Sequence, residues 1–284
     1  MNKLLGLARS FLFVPANRPE RFAKALASGA DAVIIDLEDA VAPMEKALAR
    51  QQLATAFEAF SAPERARLVV RINASATPWR GDDMHLVANL ADRGLGGVMA
   101  PKAEKPANLQ LLAQAVGPDC ALLPLLETVA GLDAADALAG CPQVVRLVFG
   151  NLDFSADLGL HPGPDEAELA PVRLAVAMAS RRAGLPPPVD GVTPDILNAE
   201  RLLADAERAR RGGFGGKLCI HPSQVAAVNA AFTPSAAERE WAQRVLAAFE
   251  AAGGGVVSLD GRMVDAPVVR LAQRTLGAQG PGQS

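Results

Sequence analysis

Three acidic side chains follow a run of branched apolar residues near the start of the sequence. The segment AVIIDLEDAV, residues 32–41, carries Asp36, Glu38 and Asp39 directly after that run. Alternation along a strand would place Asp36 and Glu38 on the same side as Ile34. Two carboxylates on one side of a buried strand repel unless a cation, an arginine or a proton lies between them. The segment predicts a charged site; the alternative is acids that cap the next helix or pair with a surface arginine.

Two later apolar runs also end in acid, which indicates metal chemistry. LLPLLET carries Glu127 near its end, and LVFGNLDF places Asp153 one strand-and-helix unit further on. At the ends of adjacent parallel strands, these two acids would lie side by side. Carboxylate oxygens without a nearby His or Cys suit Mg²⁺, which takes one or two protein carboxylates and leaves its other positions to water and substrate. The sequence predicts that Glu127 and Asp153 bind Mg²⁺, although each acid could instead start or cap a helix.

One arginine ends a third apolar run. In VVRIN, Arg71 follows residues as apolar as a buried strand requires, so a purely solvated role does not fit it. A guanidinium presents a planar fork that binds a carboxylate with two hydrogen bonds. We expect Arg71 to bind a carboxylate substrate. An internal ion pair with Asp36 or Glu38 is the alternative, and both roles are compatible.

Eight short β-rich runs alternate with longer segments of helical period. The runs are FLFVP (11–15), AVIIDLE (32–38), RLVVRIN (67–73), GVMAPK (97–102), ALLPLLET (121–128), VVRLVFG (144–150), PPVDGVT (187–193) and GKLCIHP (216–222). Eight strand–helix units predict an α/β fold of the (β/α)8 TIM-barrel type, whose polar site lies at the carboxyl ends of the strands. An open doubly wound sheet is the alternative, but no GxGxxG follows the first run.

The chain continues beyond the eighth unit. We predict a barrel over residues 1–232 and a C-terminal extension over residues 233–284 that serves as a lid or an oligomer contact. After the eighth run we predict a helix, a turn and a second helix, followed by a β-hairpin with Asp260 and Gly261 at its bend and by a last helix. The final segment GAQGPGQS is predicted to be disordered.

Composition excludes several classes of protein. The chain has 284 residues, is half apolar and carries a net charge of -3, so nucleic acid is not an expected partner. No apolar stretch approaches the roughly 20 residues of a membrane helix, and the N-terminal segment lacks a cleavage site. Three widely spaced cysteines predict buried thiols rather than disulfides or a zinc site. We expect a cytoplasmic protein without membrane partners.

Several segments together resemble one known family. They are SFLFVPANRPERFAKAL, ADAVIIDLEDAVAPMEKALAR, VVRIN, PKAE, LLETVAG, VFGNLDF, GFGGKLCIHPSQVAAVNAAFTPS and DGRMVDAP. In this order, from about residue 9 to 275, they resemble the citrate lyase β-subunit family within the HpcH/HpaI aldolase superfamily. The resemblance implies a barrel that binds Mg²⁺ through Glu127 and Asp153, with Arg71 holding the carboxylate of a 2-oxo or hydroxy acid. It also implies a homotrimer or a hexamer.

The resemblance further implies a Mg²⁺-dependent carbon–carbon lyase. Citryl-, citramalyl- and malyl-thioester lyases cleave a 3-hydroxy acyl thioester into an acetyl thioester and oxaloacetate, pyruvate or glyoxylate. Asp36, Glu38 and Asp39 would then orient metal-bound water or Arg71. The resemblance points to Asp265 as the acid that protonates the enolate, often in a neighbouring subunit. The sequence alone predicts Asp265 as the N-cap of the last helix.

A small basic cluster follows the first run. Arg18, Arg21 and Lys24 could bind the phosphates of coenzyme A or of a carrier-protein arm, or they could form a solvated helix face. A lyase of coenzyme A thioesters, a β subunit that needs an acyl carrier protein and partner subunits, and a binding barrel without turnover all remain open. A pyruvate-type class II aldolase is a further alternative, but no histidine lies near the early strands to act as its base.

Overall fold

The computed structural model describes residues 3–277 and shows a closed barrel of eight parallel strands. The barrel strands are β1 (Ser10–Pro15), β2 (Ala32–Asp36), β3 (Leu68–Arg71), β4 (Gly97–Ala100), β5 (Ala121–Leu126), β6 (Val148–Phe149), β7 (Val189–Asp190) and β8 (Gly216–Cys219). Strand β1 pairs with both β2 and β8, which closes the ring. The predicted (β/α)8 fold is confirmed, and the open doubly wound sheet is excluded.

One helix precedes β1, and the other helices lie between the strands or after them. They are α1 (Lys3–Leu7), α2 (Phe22–Leu26), α3 (Lys46–Phe57), α4 (Ala62–Arg65), α5 (Arg80–Ala91), α6 (Pro106–Val116), α7 (Val129–Asp133), α8 (Ala135–Ala139), α9 (Asn151–Leu158), α10 (Ala170–Arg182), α11 (Ala199–Arg211), α12 (Val225–Ala231), α13 (Ala236–Ala251) and α14 (Ala266–Gly277). Within residues 3–277, none of the helices has the length and apolar character needed to cross a bilayer. The cysteines Cys120, Cys141 and Cys219 are buried and free, as predicted.

Alternate residues of the strands pack into two different cores. Ile34 packs inside the barrel with Phe11 and Val69. Its neighbour Ile35 packs outside, in the core between strands and helices. Burial of one such side chain contributes about 1.5–3 kcal/mol, which fixes the register of β2. The predicted alternation is confirmed, and it directs Asp36 to the inner side of the strand.

The predicted strands at 144–150 and 187–193 are much longer than the observed β6 and β7. Pro187 and Pro188 have no N–H to donate to a strand ladder, so β7 begins only after them. Their carbonyls instead accept hydrogen bonds from the side chain of Arg146, which precedes β6. Most other predicted strands extend past the observed carboxyl ends, because the chain turns there into the loops that carry polar residues.

The C-terminal extension forms the predicted hairpin. Strands β9 (Val257–Leu259) and β10 (Arg262–Val264) are antiparallel. Asp260 and Gly261 at the bend have φ of +50° and +76°, the left-handed conformation of a tight two-residue turn. Helices α13 and α14 pack with the hairpin around their own apolar cluster. The division at residue 232 stays a prediction, and residues 278–284 of the predicted disordered segment lie outside the described residues.

Candidate active site

A cavity of about 400 Å³, here called the mouth cavity, opens at the carboxyl ends of the barrel strands. Asp36, Arg71, Glu127 and Asp153 line it together with apolar side chains such as Phe13. Asp36 and Arg71 end β2 and β3, whereas Glu127 and Asp153 follow β5 and β6. The fold therefore brings the acids and the arginine predicted from distant segments to one rim of the barrel.

Arg71 forms a two-pronged ion pair with Asp36. The β2–β3 register places these two residues opposite each other. Nε and Nη2 of Arg71 each donate to one carboxylate oxygen of Asp36 at 2.7 Å. The same carboxylate accepts the backbone N–H of Glu38 at 2.9 Å and of Ala40 at 3.1 Å. Both carboxylate oxygens of Asp36 are therefore used to fix the guanidinium of Arg71 and the turn after β2.

The other end of the guanidinium meets two more acids. Nη1 of Arg71 lies 3.0 Å from Oε2 of Glu38 and 3.5 Å from Oδ2 of the exposed Asp39. Burial acts to lower the pKa of Arg71, but the charges of Asp36 and Glu38 outweigh it, so the pKa is raised. The internal ion pair that the sequence left open is present. Only the Nη1 end remains for a substrate carboxylate, which would compete there with Glu38 and Asp39.

Lys102 is a site residue that the reasoning from single residues missed. Its Nζ lies 3.1 Å from Oδ2 of Asp153, 3.3 Å from Oε1 of Glu38 and 3.7 Å from Oε1 of Glu127. Its backbone N–H also donates to Glu127 Oε1 at 2.8 Å. The signal was available, because the run GVMAPK ends in this lysine just as other runs end in acid. Lys102 places a positive charge among three carboxylates from the segments that follow β2, β5 and β6.

The backbone of Lys102 is held in an uncommon conformation. Its φ is +44°, in the left-handed region that residues with a Cβ seldom occupy. This turn lets the amide and the ammonium of one residue both approach Glu127. Burial lowers the pKa of Lys102, but the charges of Glu127 and Glu38 more than offset it and raise the pKa. The ammonium is therefore charged at neutral pH.

Two of the acids are buried deeply enough to retain protons near neutrality. Burial, helped by the charge of Glu38, raises the pKa of Glu127 to about 8. Burial likewise raises the pKa of Glu38 to about 7, although Arg71 opposes this. A divalent cation beside these carboxyls would favour their charged forms. The positive charges of the protein alone therefore do not suffice to keep Glu38 and Glu127 fully ionised near neutral pH.

The residues at this rim fit a hard divalent cation. A Cβ on Gly150 would lie 2.6 Å from Cβ and 2.8 Å from Oε2 of Glu127, so the glycine leaves room for that carboxylate. Lys102 Nζ already lies within 4 Å of both Glu127 and Asp153, which shows that a cation can sit beside both acids. No three His, Cys, Asp or Glu side chains of residues 3–277 form a metal cluster. Two carboxylates leave the other positions of Mg²⁺ to water and substrate.

Substitution of Gly150 by alanine is expected to weaken Mg²⁺ binding about tenfold, as the loss of a supporting contact around a metal ligand does. The added Cβ must displace Glu127 from its present position. Calorimetric titration with Mg²⁺ measures the effect. Gly81→Ala is the matched control, since a Cβ there meets nothing within 4 Å. Equal Mg²⁺ affinity of the two variants would show that Gly150 does not support the site.

Substitution of Lys102 by methionine is expected to destabilise the metal-free protein by about 1 kcal/mol, a value reduced for the solvent exposure of the ammonium. The variant leaves Glu38 and Glu127 buried without the cation they share. Denaturant unfolding in the presence of a chelator gives the free energy of unfolding. Lys105→Met, at an exposed position three residues later, is the control. A free energy equal to that of the control variant would contradict a stabilising role for Lys102.

The three basic residues that follow β1, Arg18, Arg21 and Lys24, are exposed. Nε of Arg18 lies 2.6 Å from Oε1 of Glu20, and Nε of Arg21 lies 3.9 Å from the same oxygen. The hydrogen bond from Arg18 lowers the pKa of Glu20. Lys24 is exposed on α2. A phosphate at this cluster would compete with Glu20, and the phosphate-binding role of the three basic residues stays a prediction.

Asp265 lies apart from the mouth cavity of its own chain. Its Oδ1 accepts the N–H of Val268 at 3.2 Å at the start of α14, which is the cap position expected from the sequence alone. No residue of 233–277 lines the mouth cavity. An acid from the extension is therefore not brought to the other predicted site residues within this single chain.

A closed parallel barrel that gathers carboxylates, a lysine and an arginine at the carboxyl ends of its strands has the architecture of a (β/α)8-barrel enzyme. The family described as HpcH/HpaI aldolase/citrate lyase matches residues 9–222. The chain belongs to this family, as the resemblance of its segments predicted.

Named relatives cover nearly the whole chain. A (3S)-malyl-CoA thioesterase of Cereibacter sphaeroides (strain KD131 / KCTC 12085) is 37% identical over 271 residues, 94% of this chain and 93% of the relative. A citrate lyase subunit beta-like protein of Deinococcus radiodurans is 37% identical over 285 residues, 97% of this chain and 99% of the relative. The solved structure of CitE from Mycobacterium tuberculosis with magnesium, acetoacetate and coenzyme A is 37% identical, with a TM-score of 0.83, and covers 96% of this chain and 98% of that chain.

Proposed function

We propose that this protein is a Mg²⁺-dependent carbon–carbon lyase that cleaves a citryl-, citramalyl- or malyl-type acyl thioester. The products are an acetyl thioester and a 2-oxo acid such as oxaloacetate, pyruvate or glyoxylate. The observation that carries the proposal is the pair of carboxylates, Glu127 and Asp153, that lies beside one ammonium at the rim where Arg71 lines the same cavity. The related CitE structure, with its magnesium and coenzyme A, supports the same assignment.

Each site residue has a defined task in this proposal. Glu127 and Asp153 would hold Mg²⁺, which when bound supplies a Lewis acid that polarises the hydroxyl and carboxylate oxygens of the substrate. Nη1 of Arg71 would bind the carboxylate of the 2-oxo acid half, while Asp36 fixes the guanidinium plane. Lys102 would position Glu127 and offset the charge that the acids accumulate.

The proposed cleavage breaks one carbon–carbon bond, removes one proton from oxygen and adds one proton to carbon. The substrate hydroxyl gives its proton to water, and its O–H electron pair becomes the second bond of the oxo group of the 2-oxo acid. The carbon–carbon bond breaks, and its electron pair passes to the carbon beside the thioester, which gives an enolate. A proton then adds to that carbon and forms the acetyl thioester.

Asp265 is proposed as the acid that protonates the enolate in the site of a neighbouring copy. In its own chain it caps α14 and does not line the mouth cavity. The proposal therefore requires an oligomer, such as the expected trimer or hexamer, in which the extension of one copy covers the mouth of another.

Asp265→Asn is expected to abolish turnover and to leave Mg²⁺ binding unchanged, because Asp265 is not one of the two proposed metal ligands. Co-expression of this variant with Glu127→Gln tests the subunit arrangement. Random mixing regenerates about a quarter of the sites if Asp265 acts between copies, and none if it acts within one chain. Activity of the mixed oligomers would support the arrangement, whereas full inactivity of the mixture would contradict it.

Coenzyme A is proposed as the thioester carrier, with Arg18, Arg21 and Lys24 as its phosphate contacts. These residues carry three positive charges in the exposed segment that follows β1. The purified chain should then cleave coenzyme A thioesters without partner subunits. Activity that appears only on an acyl carrier protein would favour a carrier-dependent β subunit instead.

Thioester hydrolysis is a second candidate, favoured by the relative named (3S)-malyl-CoA thioesterase. Product analysis separates the two reactions. Malyl-CoA, citramalyl-CoA and citryl-CoA are each incubated with protein and Mg²⁺. The lyase yields acetyl-CoA and a 2-oxo acid, whereas hydrolysis yields free coenzyme A and an intact hydroxy acid. Release of free thiol without any 2-oxo acid from all three esters would overturn the lyase proposal.

A further inference from the structure

A second cavity lies at the opposite end of the barrel. This N-terminal cavity has a volume of about 680 Å³ and is formed by the barrel floor, α10, the loops before β7 and β8, and the end of α14. Its lining residues Arg9, Arg146, Pro188 and Gly215 all precede strands, whereas the candidate active site uses residues at the carboxyl ends. The volume is in the range of small-molecule sites.

The charged residues around the N-terminal cavity are all positive. The arginines that line it are Arg9, Arg146, Arg181, Arg210 and Arg274. Among the lining residues of the described chain there is no aspartate or glutamate. Five guanidinium groups around one cavity without an acid in its wall create a field that attracts anions.

Two of these arginines are neutralised by acids behind the cavity wall. Arg9 donates to both carboxylate oxygens of Asp31, at 2.8 and 3.0 Å. Arg210 donates to Glu238 at 2.5 Å. For Arg146, Arg181 and Arg274, no carboxylate of residues 3–277 lies within ion-pair distance. Among the described residues, three of these five guanidinium groups therefore have no carboxylate as an ion-pair partner.

Arg146 carries one of these charges in the interior. Its side chain is 1% exposed, and it donates to the carbonyls of Ala8, Pro187 and Pro188. A Cβ on Gly215 would lie 2.9 Å from Nη2 of Arg146, so the glycine leaves room for the guanidinium. Burial lowers the pKa of Arg146 to about 9, which leaves it charged at neutral pH. The carbonyls take three of its five N–H groups, and two remain for a ligand.

A second unpartnered polar group lines the same cavity. The hydroxyl of Ser180 is buried, and no hydrogen-bond partner for it lies among the described residues. Phe214, Phe232 and Leu185 supply apolar walls. Arg181 and Arg274 are exposed, where they could meet an entering anion. The N-terminal cavity thus combines an apolar body with unpaired donors and positive charge.

We propose that the N-terminal cavity binds an organic phosphate monoester with a short apolar group, independently of the substrate of the candidate active site. A phosphate dianion matches the planar fork of guanidinium groups and accepts several hydrogen bonds at once. The apolar group would pack against Phe214 and Phe232, as most of a small ligand does in a protein cavity. The inference rests on this end of the barrel alone and does not depend on the lyase proposal.

Calorimetric titration of the full chain with n-hexyl phosphate tests the proposal. Ionic strength is kept constant, because salt screens the attraction. Hexyl phosphate is expected to bind at least about tenfold more tightly than hexanoate or n-hexanol, since charge-assisted bonds to a dianion are the stronger ones. An absence of hexyl phosphate binding, or equal affinity for hexanoate, would overturn the assignment.

Three variants test where on the protein hexyl phosphate binds. The Arg181→Ala/Arg274→Ala double variant is expected to bind hexyl phosphate at least about tenfold more weakly. Arg182→Ala is the matched control, because Arg182 neighbours Arg181 in the chain but pairs with Asp136 at 2.6 Å and does not line the cavity. The double variant Arg18→Ala/Lys24→Ala tests whether hexyl phosphate binds instead at the basic residues that follow β1. Unchanged affinity of the first variant, or loss in either of the others, would contradict the proposal.

Discussion

Glu127→Gln is expected to lose Mg²⁺ binding and to lower kcat/KM for the thioester by at least about 10³-fold, the scale of several kcal/mol of transition-state stabilisation. The substitution keeps the size of the side chain but removes one of the two proposed anionic ligands. The amide cannot offer Mg²⁺ the charged oxygen that the ion prefers over neutral donors. The backbone N–H of Lys102 can still donate to the remaining carbonyl oxygen, so the loop geometry should be preserved.

Calorimetry with Mg²⁺ and a product assay measure the two effects separately. Glu104→Gln is the matched control, because Glu104 follows β4 at the same end of the barrel, but its carboxylate accepts a hydrogen bond from Thr128 at 2.9 Å and does not line the mouth cavity. The control should bind Mg²⁺ and turn over like the unaltered protein. Turnover of Glu127→Gln at the unaltered rate, with the same dependence on Mg²⁺, would remove Glu127 from the metal site.

Arg71→Lys is expected to lower kcat/KM by about 10²-fold, chiefly through a higher KM, because an ammonium cannot be fixed by Asp36 through two parallel hydrogen bonds and also direct an N–H at the substrate carboxylate. The charge that balances Asp36 and Glu38 is kept, but the two parallel hydrogen bonds to Asp36 are lost. Some loss of stability should follow as well, since a buried ion pair with poorer geometry is less favourable. Inhibition constants for oxaloacetate, pyruvate and glyoxylate report the change in carboxylate binding.

Arg9→Lys is the control that separates an effect of Arg71→Lys on substrate binding from its effect on protein stability. Arg9 forms a similar two-pronged pair with Asp31, but it precedes β1 at the opposite end of the barrel. Both variants should unfold at lower denaturant concentration. Only Arg71→Lys should alter the KM or the inhibition constants. A comparable change in KM for both variants would indicate that Arg71 acts through the stability of the barrel rather than on the substrate.

The sequence predicts the barrel well because the barrel depends on local pattern. Alternation in AVIIDLE already directs Ile34 and Ile35 to two different cores, and the structure confirms it. The hairpin bend at Asp260 and Gly261 follows from the same kind of local signal. The late start of β7 follows from Pro187 and Pro188, which cannot donate to a strand ladder, whereas the hydrogen bond of Arg146 to the carbonyl of Pro187 joins distant segments and has no local signal.

The details of the site depend on contacts between distant segments, which no local pattern specifies. The pairing of Arg71 with Asp36 follows from the register of β2 against β3. Lys102 reaches Asp153 only because its backbone turns into the left-handed region after β4. The sequence does not predict that Arg146 lacks a carboxylate partner, because this depends on which distant segments meet at the N-terminal ends of the strands. Sequence reasoning therefore finds most of the acids but not the cation between them.

Anomalous diffraction from crystals grown with Mn²⁺ in place of Mg²⁺ tests the central claim most directly, because the ion position is observed without reference to activity. The proposal predicts one strong peak about 2 Å from carboxylate oxygens of both Glu127 and Asp153. A soaked 2-oxo acid should then lie between that peak and Nη1 of Arg71. A peak at any other group of residues, or no peak at the mouth cavity at saturating Mn²⁺, would contradict the account.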